Sequence, residues 1–494
     1  MAAAASPRSS DPATLFPRLC KLSSLSTLAL FADWSRPLLF NVFVSQNLKG
    51  SGLTMDEAAS GRTGAASALR PTPAAACAAA QQAAFEMDCV SLAIMSLNIV
   101  AFATASGFNG AVNAYAPVAF GAGNSVELHL VLYRQLLLLA AFTMVLLVML
   151  VNAEALLLFI GQPAAVASRT GAVLRLMAWS VPGDIIYDCL GQWTRSQQRH
   201  SLVTTCSATA LSVNVLLNFL LADPARPFWG PIAALTAQNT LLPVLLAFGL
   251  FWWDKPIAAP FGAVLAGLPQ QFCSGVAQMC WACAECWAWQ VQVFEARALS
   301  TGGAAGYALL SSTYSFLIMV PGGACLAVTA LAGEAVGAGL HTNARKVLVQ
   351  GCFYSTAVVL AYGLPLTMLR NDFAEFISGG VPAVQSKVAA VLPVIFATHL
   401  FDGIFNILKS WLTVRQHQAF GAVQSLMVYY GVGLPVGWWL TFPGHWGLVG
   451  LWTGLGLAVV LGVVVCAIRT VMDLRDLFAP SPEASGLLLA SGLK

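Results

Sequence analysis

Residues 107–123 read GFNGAVNAYAPVAFGAG, and residues 323–339 read GACLAVTALAGEAVGAG. The first closes on Phe120-Gly121-Ala122-Gly123 and the second on Val336-Gly337-Ala338-Gly339. Each block ends an apolar stretch and precedes a basic segment, Tyr133-Arg134-Gln135 or Ala344-Arg345-Lys346. The copies lie 216 residues apart, too far for a solenoid, whose units recur every ~20–50 residues. The spacing predicts two equivalent halves, a common construction of membrane transporters.

Composition agrees. Of 494 residues 58% are hydrophobic and 9% charged, against roughly 25% charged in a soluble domain. About twelve apolar stretches approach the ~20 residues that span hydrocarbon: 24–45, 89–116, 130–155, 170–192, 201–222 and 229–253, then 262–293, 304–332, 346–369, 383–410, 418–441 and 446–471. They are too long for barrel strands, so helices must satisfy the backbone. The expected fold class is an all-α membrane protein of about twelve transmembrane helices, in two six-helix bundles related by pseudo-two-fold symmetry around a central cavity. An even number of spans per half gives both halves one orientation, with the axis along the membrane normal.

The expected organisation is a cytosolic tail (1–23), a first bundle (24–253), a linker (254–261) around Pro256 and Pro260, a second bundle (262–471) and a cytosolic tail (472–494). Within the first bundle, 46–85 is rich in Gly, Ser and Ala and reads as a disordered loop insertion. Asp33 and Arg36 interrupt the first span, three apart, where they could neutralise each other. Residues 1–23 hold Arg8, Arg18 and Lys21 without an apolar core, so no cleavable signal is expected. The Lys/Arg bias places both termini in the cytosol. Cysteines fall within apolar helices, which argues against a disulfide scaffold. Cys280, Cys283 and Cys286 form C-x-x-C-x-x-C among tryptophans, and packing explains them better than metal or redox chemistry. No metal site or cofactor is expected.

The halves echo each other elsewhere. Ile160-Gly161-Gln162-Pro163 corresponds to Ile377-Ser378-Gly379-Gly380-Val381-Pro382, and Pro182 to Pro393. Trp193-Thr194-Arg195-Ser196-Gln197 corresponds to Trp411-Leu412-Thr413-Val414-Arg415-Gln416. Four stretches resemble the multidrug and toxic compound extrusion (MATE) family, in its eukaryotic branch, over roughly residues 86–475. They are Met87–Ile94, Gly107–Gly123, Leu156–Pro163, and Tyr429-Tyr430-Gly431-Val432-Gly433-Leu434-Pro435 followed by Gly447–Trp452. The last is the most specific. The resemblance implies a proton- or sodium-coupled exporter of organic cations, with no nucleic-acid partner.

Ionisable groups inside hydrocarbon are functional candidates. Asp402, in His399-Leu400-Phe401-Asp402-Gly403, stands where the family places an acid in its tenth helix. A carboxylate admits a cation and its protonated form does not, so one acid can serve proton and substrate in turn. Glu285, in Glu285-Cys286-Trp287-Ala288-Trp289-Gln290, matches the first acid of a family E-W-W-x-aromatic-E pattern. Trp287 and Trp289 retain an aromatic wall suited to cations, while Gln290 replaces the second acid and Ser312 replaces a further one. Asp402, Asn406 and Lys409 form one polar stripe. Lys409 stands where the family has a small residue; it is expected to snorkel to the membrane boundary, the alternative being an approach to Asp402 that repels cationic substrates. Asp184 and Asp188 lie four apart after Pro182 and offer a second proton or sodium site or a polar patch. Asn214 and Asn218 match a family N-x-x-x-N face, and Val118 replaces a family Gln.

The expected function is secondary active efflux, proton-coupled antiport of organic cations by alternating access, with sodium as the other coupling ion. The alternatives are an exporter of an anionic metabolite, favoured by Lys409 and Arg415, a lipid-linked flippase of the same superfamily, and an inactive paralogue. No nucleophile elbow or phosphate loop suggests an enzyme. A monomer in the plasma membrane or an acidic organelle is expected.

Overall fold

The computed structural model describes residues 12–50, 73–223, 228–253, 256–299, 303–379 and 381–478. Among the described residues twelve long helices carry the fold. The first lobe holds α1 (Leu15–Gly50), α2 (Pro73–Leu97, a wider π turn at Asn98–Phe102, then Ala103–Gly121), α3 (Ser125–Val151), α4 (Ala164–Met177, a tight turn at Ala178–Ser180, then Val181–Ser196), α5 (His200–Leu220) and α6 (Trp229–Trp253). The second holds α7 (Leu268–Arg297), α8 (Gly303–Leu317 and Met319–Gly337), α9 (His341–Met368), α10 (Pro382–Val414), α11 (Gln418–Ser425, a π stretch at Leu426–Gly433, then Leu434–Thr441) and α12 (Leu448–Phe478). The protein is a multi-pass, all-helical membrane protein of two six-helix lobes.

Among the described residues nine helices are long and apolar enough to cross a membrane by composition alone, and α1, α4 and α7 fall short of that measure. These three carry Asp33, Asp184 with Asp188, and Glu285. Helices bearing such groups turn them toward protein. Large apolar side chains such as Phe248, Trp252 and Phe353 are exposed, as a surface facing lipid allows.

Several expected boundaries move. The stretch 46–85 is helical up to Gly50 and again from Pro73; Ala-rich sequence without Gly has high helix propensity, and 51–72 lies outside the described residues. The first helix begins at Leu15 rather than at 24, and α12 continues to Phe478.

The repeat that opens the sequence is the contact on which the lobes meet. A Cβ on Gly121 of α2 would strike the Glu334 backbone of α8, and one on Gly337 of α8 would strike the Val118 backbone of α2. The two contacts exchange under the repeat. Small residues allow backbones in membranes to approach this closely. Gly123 and Gly339 follow with φ of 67° and 71°, the left-handed conformation that ends a helix and that glycine adopts without a Cβ penalty. Asn124 then caps α3 through Glu127 N–H at 3.0 Å.

Further contacts gather at this same end, hereafter the closed end. Arg18 of α1 pairs with Glu334 at 3.1 Å, and Gln198 reaches both side chains. Gln271 of α7 donates to Val131 O at 2.9 Å and Gln135 Oε1 at 3.0 Å on α3. Arg134 donates to Ala263 O and Val264 O of the short linker helix Phe261–Ala266. Midway along the helices Thr27 donates to Val320 O, Phe31 meets Phe316 at 4.8 Å, and a Cβ on Gly107 would come within 2.8 Å of Met279 Cα and 3.1 Å of Ala282 Cβ.

Candidate functional site

Glu285 lies one helical turn beyond Ala282, the α7 residue that packs on Gly107 of α2. Its Oε2 is held by the Nζ of Lys409 from α10. The ammonium also faces the Phe405 ring at 5.2 Å and the Trp281 ring at 5.7 Å. This corrects the sequence expectation: Lys409 turns inward to Glu285 rather than snorkelling to the boundary, and it meets Glu285 rather than Asp402. The side chains keep 17% and 20% exposure respectively, so the pair is shielded but not sealed.

Asp402 lies deeper, 3% exposed. Tyr314 of α8 donates its hydroxyl to Oδ2 at 2.8 Å and Asn406 donates to Oδ1 at 3.1 Å. Helical spacing puts 402, 406 and 409 on one face, which explains why one helix serves both acids. Tyr314 is fixed from two sides: it stacks on His399 at 4.1 Å and packs on Trp289 at 4.6 Å. Trp289 in turn meets Trp452 at 5.4 Å. His399 was not singled out from sequence, although it lies three residues before Asp402 on the same face.

The expected aromatic wall divides. Trp289 enters the lobe interior, whereas Trp287 lies about 200° around the helix from Glu285 and is 43% exposed. Gln290 is half-buried on the adjoining face. Arg415, expected to add positive charge to the cavity, instead pairs with Asp473 at 3.0 Å, where His417 joins at 3.0 Å. Cys280 is exposed, Cys283 buried and Cys286 half-buried, and among the described residues no three His, Cys, Asp or Glu side chains converge on a metal position.

In the first lobe Asp188 accepts from Asn109 at 2.9 Å and from Gln192 at 3.1 Å and 3.0 Å. The amide chain continues through Gln135, which donates to Asn109 Oδ1 at 3.3 Å. Asp184, half-buried, lies one turn before Asp188. Between them Tyr187 donates to Asp33 Oδ2 of α1 at 3.4 Å and shares a 2.5 Å hydrogen bond with Ser207. Asp33 thus belongs beside this cluster and not merely to a broken span; an acid in mid-helix was the signal for it. The side chain of Arg36 lies outside the described residues. Asn218 donates to the backbone and side chain of Asn214 at 2.9 Å and 3.0 Å, a bond within α5.

The two helical lobes meet at one end, and each holds carboxylates among its helices, half-buried at Asp188 in the first and buried at Asp402 in the second. A family model described as MatE matches residues 78–220 and again 283–439, once in each half, and the chain belongs to that family. It is 27% identical over 382 residues to "Multidrug and toxin extrusion protein 1" of Xenopus tropicalis, covering 75% of this chain and 65% of that protein. The chain thus spans just under two thirds of that relative. Its fold is shared with the "eukaryotic MATE transporter AtDTX14" (TM-score 0.76, 18% identity, 94% of this chain and 99% of that one). It is shared too with a Pyrococcus furiosus transporter whose structure is titled "Reverse polarity of binding pocket suggests different function of a MOP superfamily transporter" (TM-score 0.75, 12% identity, 97% and 99%).

Proposed function

We propose that the protein is a proton-coupled exporter that exchanges protons for an organic solute by alternating access. The observation that carries this reading is Asp402: a carboxylate inside the second lobe, hydrogen-bonded by Tyr314 and Asn406 and one helical face from Glu285. A buried acid at membrane depth is a group whose charge changes when a proton binds. Protonation weakens the acceptor that orients the Tyr314 hydroxyl, and Tyr314 is stacked between His399 and Trp289. The proton state of Asp402 can thereby reshape the wall of the cavity. Asp188, Asp184 and Asp33 supply the corresponding acids of the first lobe.

With both termini in the cytosol, the closed end is cytosolic and the carboxylates face the opposite side. Closing there and opening here requires α2 and α8 to separate at Gly121 and Gly337. In the organic-cation form of this reading, substrate charge takes the place of Lys409 on Glu285. The second reading, a solute with an anionic group, is favoured by the presence of Lys409 itself.

The test is uptake of a fluorescent organic cation into proteoliposomes under an imposed pH gradient. Gradient-dependent uptake lost in Asp402→Asn is expected. Gradient-dependent uptake unchanged by Asp402→Asn would overturn the assignment, and uptake driven by sodium alone would replace the proton by sodium.

A further inference from the structure

We propose that a groove on the outer face of the first lobe is a fixed seat for one zwitterionic phospholipid, its acyl chain lying along α6 and its headgroup at Arg175 and Glu154. Such a seat stands apart from the acids inside the lobes and from the exporter reading.

The groove encloses about 800 Å³ between α4 and α6. Leu176 and Trp179 wall it on one side, and Trp229, Ala233, Ala237 and Val244 run along the other. Its origin is the break in α4. Pro182 withholds an N–H from the helix, the turn before it tightens at Ala178–Ser180, and Trp179 is left 77% exposed as a ridge. Beyond the break a Cβ on Gly183 would strike Asn239 O, so the second segment of α4 lies directly on α6, whereas the first barely touches it. α6 turns its amides inward: Gln238 and Asn239 are buried, and Asn239 donates to Ser180 O at 3.4 Å. Its other face is the groove, where Thr240 spends its proton on Thr236 O at 2.8 Å. A carbon-lined surface at hydrocarbon depth takes lipid, because no water reaches it. The groove starts at the end away from the closed end. Gln198, which follows α4, meets Glu334 at the closed end, so Ala164 stands at the other, and Trp229 begins α6 there too because α5 runs back between them. Ion pairs mark the membrane boundary at that end, Arg169 with Glu86 at 2.6 Å and Arg175 with Glu154 at 3.3 Å. Trp229 stands at headgroup level, as interfacial tryptophans do. Arg175 precedes Trp179 by one turn on the same face of α4. From Trp229 to Val244 the groove follows α6 for ~22 Å at the usual helical rise, a length that suits one extended acyl chain and exceeds the ring system of a sterol. Arg175 and Glu154 keep 44% and 36% exposure, and a phosphate joined to an ammonium offers each its opposite sign. Lipid held by chain and headgroup together outlasts lipid that only touches a smooth flank, such as that of Phe353 on α9.

The test uses full-length protein in detergent and a phosphatidylcholine carrying a photoactivatable diazirine at mid-chain, with the cross-linked peptides read by mass spectrometry. Label on residues 229–244 is expected to exceed label on the exposed flank of α9 around Phe353 by about tenfold. Ala237→Phe fills the groove and should cut the α6 label about tenfold while leaving the α9 label as it was. If Ala237→Phe does not fold, Ala233→Phe, at a more exposed groove position, takes its place. Arg175→Gln with Glu154→Gln should lower the α6 label by a smaller factor, about threefold, because exposed charges contribute little each. Unlabelled phosphatidylcholine should compete, phosphatidylglycerol of the same chains should compete less well, and cholesterol should not compete. Label spread evenly over α6 and α9, an α6 label unmoved by the groove-filling variant, or displacement by cholesterol in preference to phosphatidylcholine overturns the proposal. So does a dimer of this chain that shields 229–244 from label, and equal competition by phosphatidylglycerol overturns the choice of headgroup.

Discussion

The two lobes repeat one fold and satisfy their acids by different means. In the first, Asp188 accepts from the amides of Asn109 and Gln192, and Gln135 supports Asn109 from behind. Amides satisfy the carboxylate oxygens without cancelling the charge. In the second, Glu285 is matched by an ammonium, and the neutral donors Tyr314 and Asn406 serve Asp402 one face away. The first lobe meets Asp188 with neutral amides; the second carries an ion pair beside one buried acid. Duplication of a backbone therefore fixes where acids can stand, and not what stands opposite them.

Proton coupling at Asp402 is the largest effect expected from this difference: Asp402→Asn should abolish gradient-driven uptake. Next comes stability. Glu285→Gln leaves the Lys409 ammonium unpaired, which should lower stability by about 2 kcal/mol, below the ~3–5 kcal/mol of a fully buried pair because both groups keep some water. Asp188→Asn keeps a hydrogen-bonding amide and should stay within about 1 kcal/mol of wild type. Thermal unfolding of the solubilised protein checks both, and neutralising Lys409 together with Glu285 should restore most of the loss. Equal losses at Glu285 and Asp188 would erase the contrast.

A smaller effect separates the closed end. Glu334→Gln removes the charge that Arg18 and Gln198 share between lobes. It should increase labelling of a cysteine introduced at Val118 by a water-soluble maleimide, because the end opens more often. Unchanged labelling would mean that the small-residue contact alone holds the lobes there.

The smallest effect concerns Gln198 and Gln416, which end α4 and α10 with φ of 62° and 61°. A left-handed residue with a Cβ costs about 1 kcal/mol, so Gln416→Gly should raise the unfolding temperature. The same change at Gln198 should not, because its side chain also bonds Glu334.

The twelve helices were legible because a hydrocarbon solvent imposes length and composition on every span, and the repeat announced two equivalent halves, though not that Gly121 would meet Glu334 and Gly337 would meet Val118. The pairing of Lys409 with Glu285 was not legible. The residues are 124 apart in sequence, and the local pattern of α10 gives the face of Lys409 but not the helix opposite it. Asp33 was visible as a charge in an apolar run, yet its partner Tyr187 comes from α4, and Glu334, not singled out from sequence, meets Arg18 of α1. Trp287 and Trp289 looked like one wall because adjacent positions in a motif suggest a common role, while helical geometry sends them to different faces. The stretch 73–85 looked disordered by composition, although alanine-rich sequence joined to an apolar helix extends it.

The central claim is that protons and solute are coupled through the acids of the second lobe. Solute-driven proton movement, followed with a pH-sensitive dye in proteoliposomes, tests it most directly. The account predicts a proton signal in wild type that disappears in the Asp402→Asn, Glu285→Gln double variant while the protein remains folded. A proton signal that persists unchanged in that variant would contradict it.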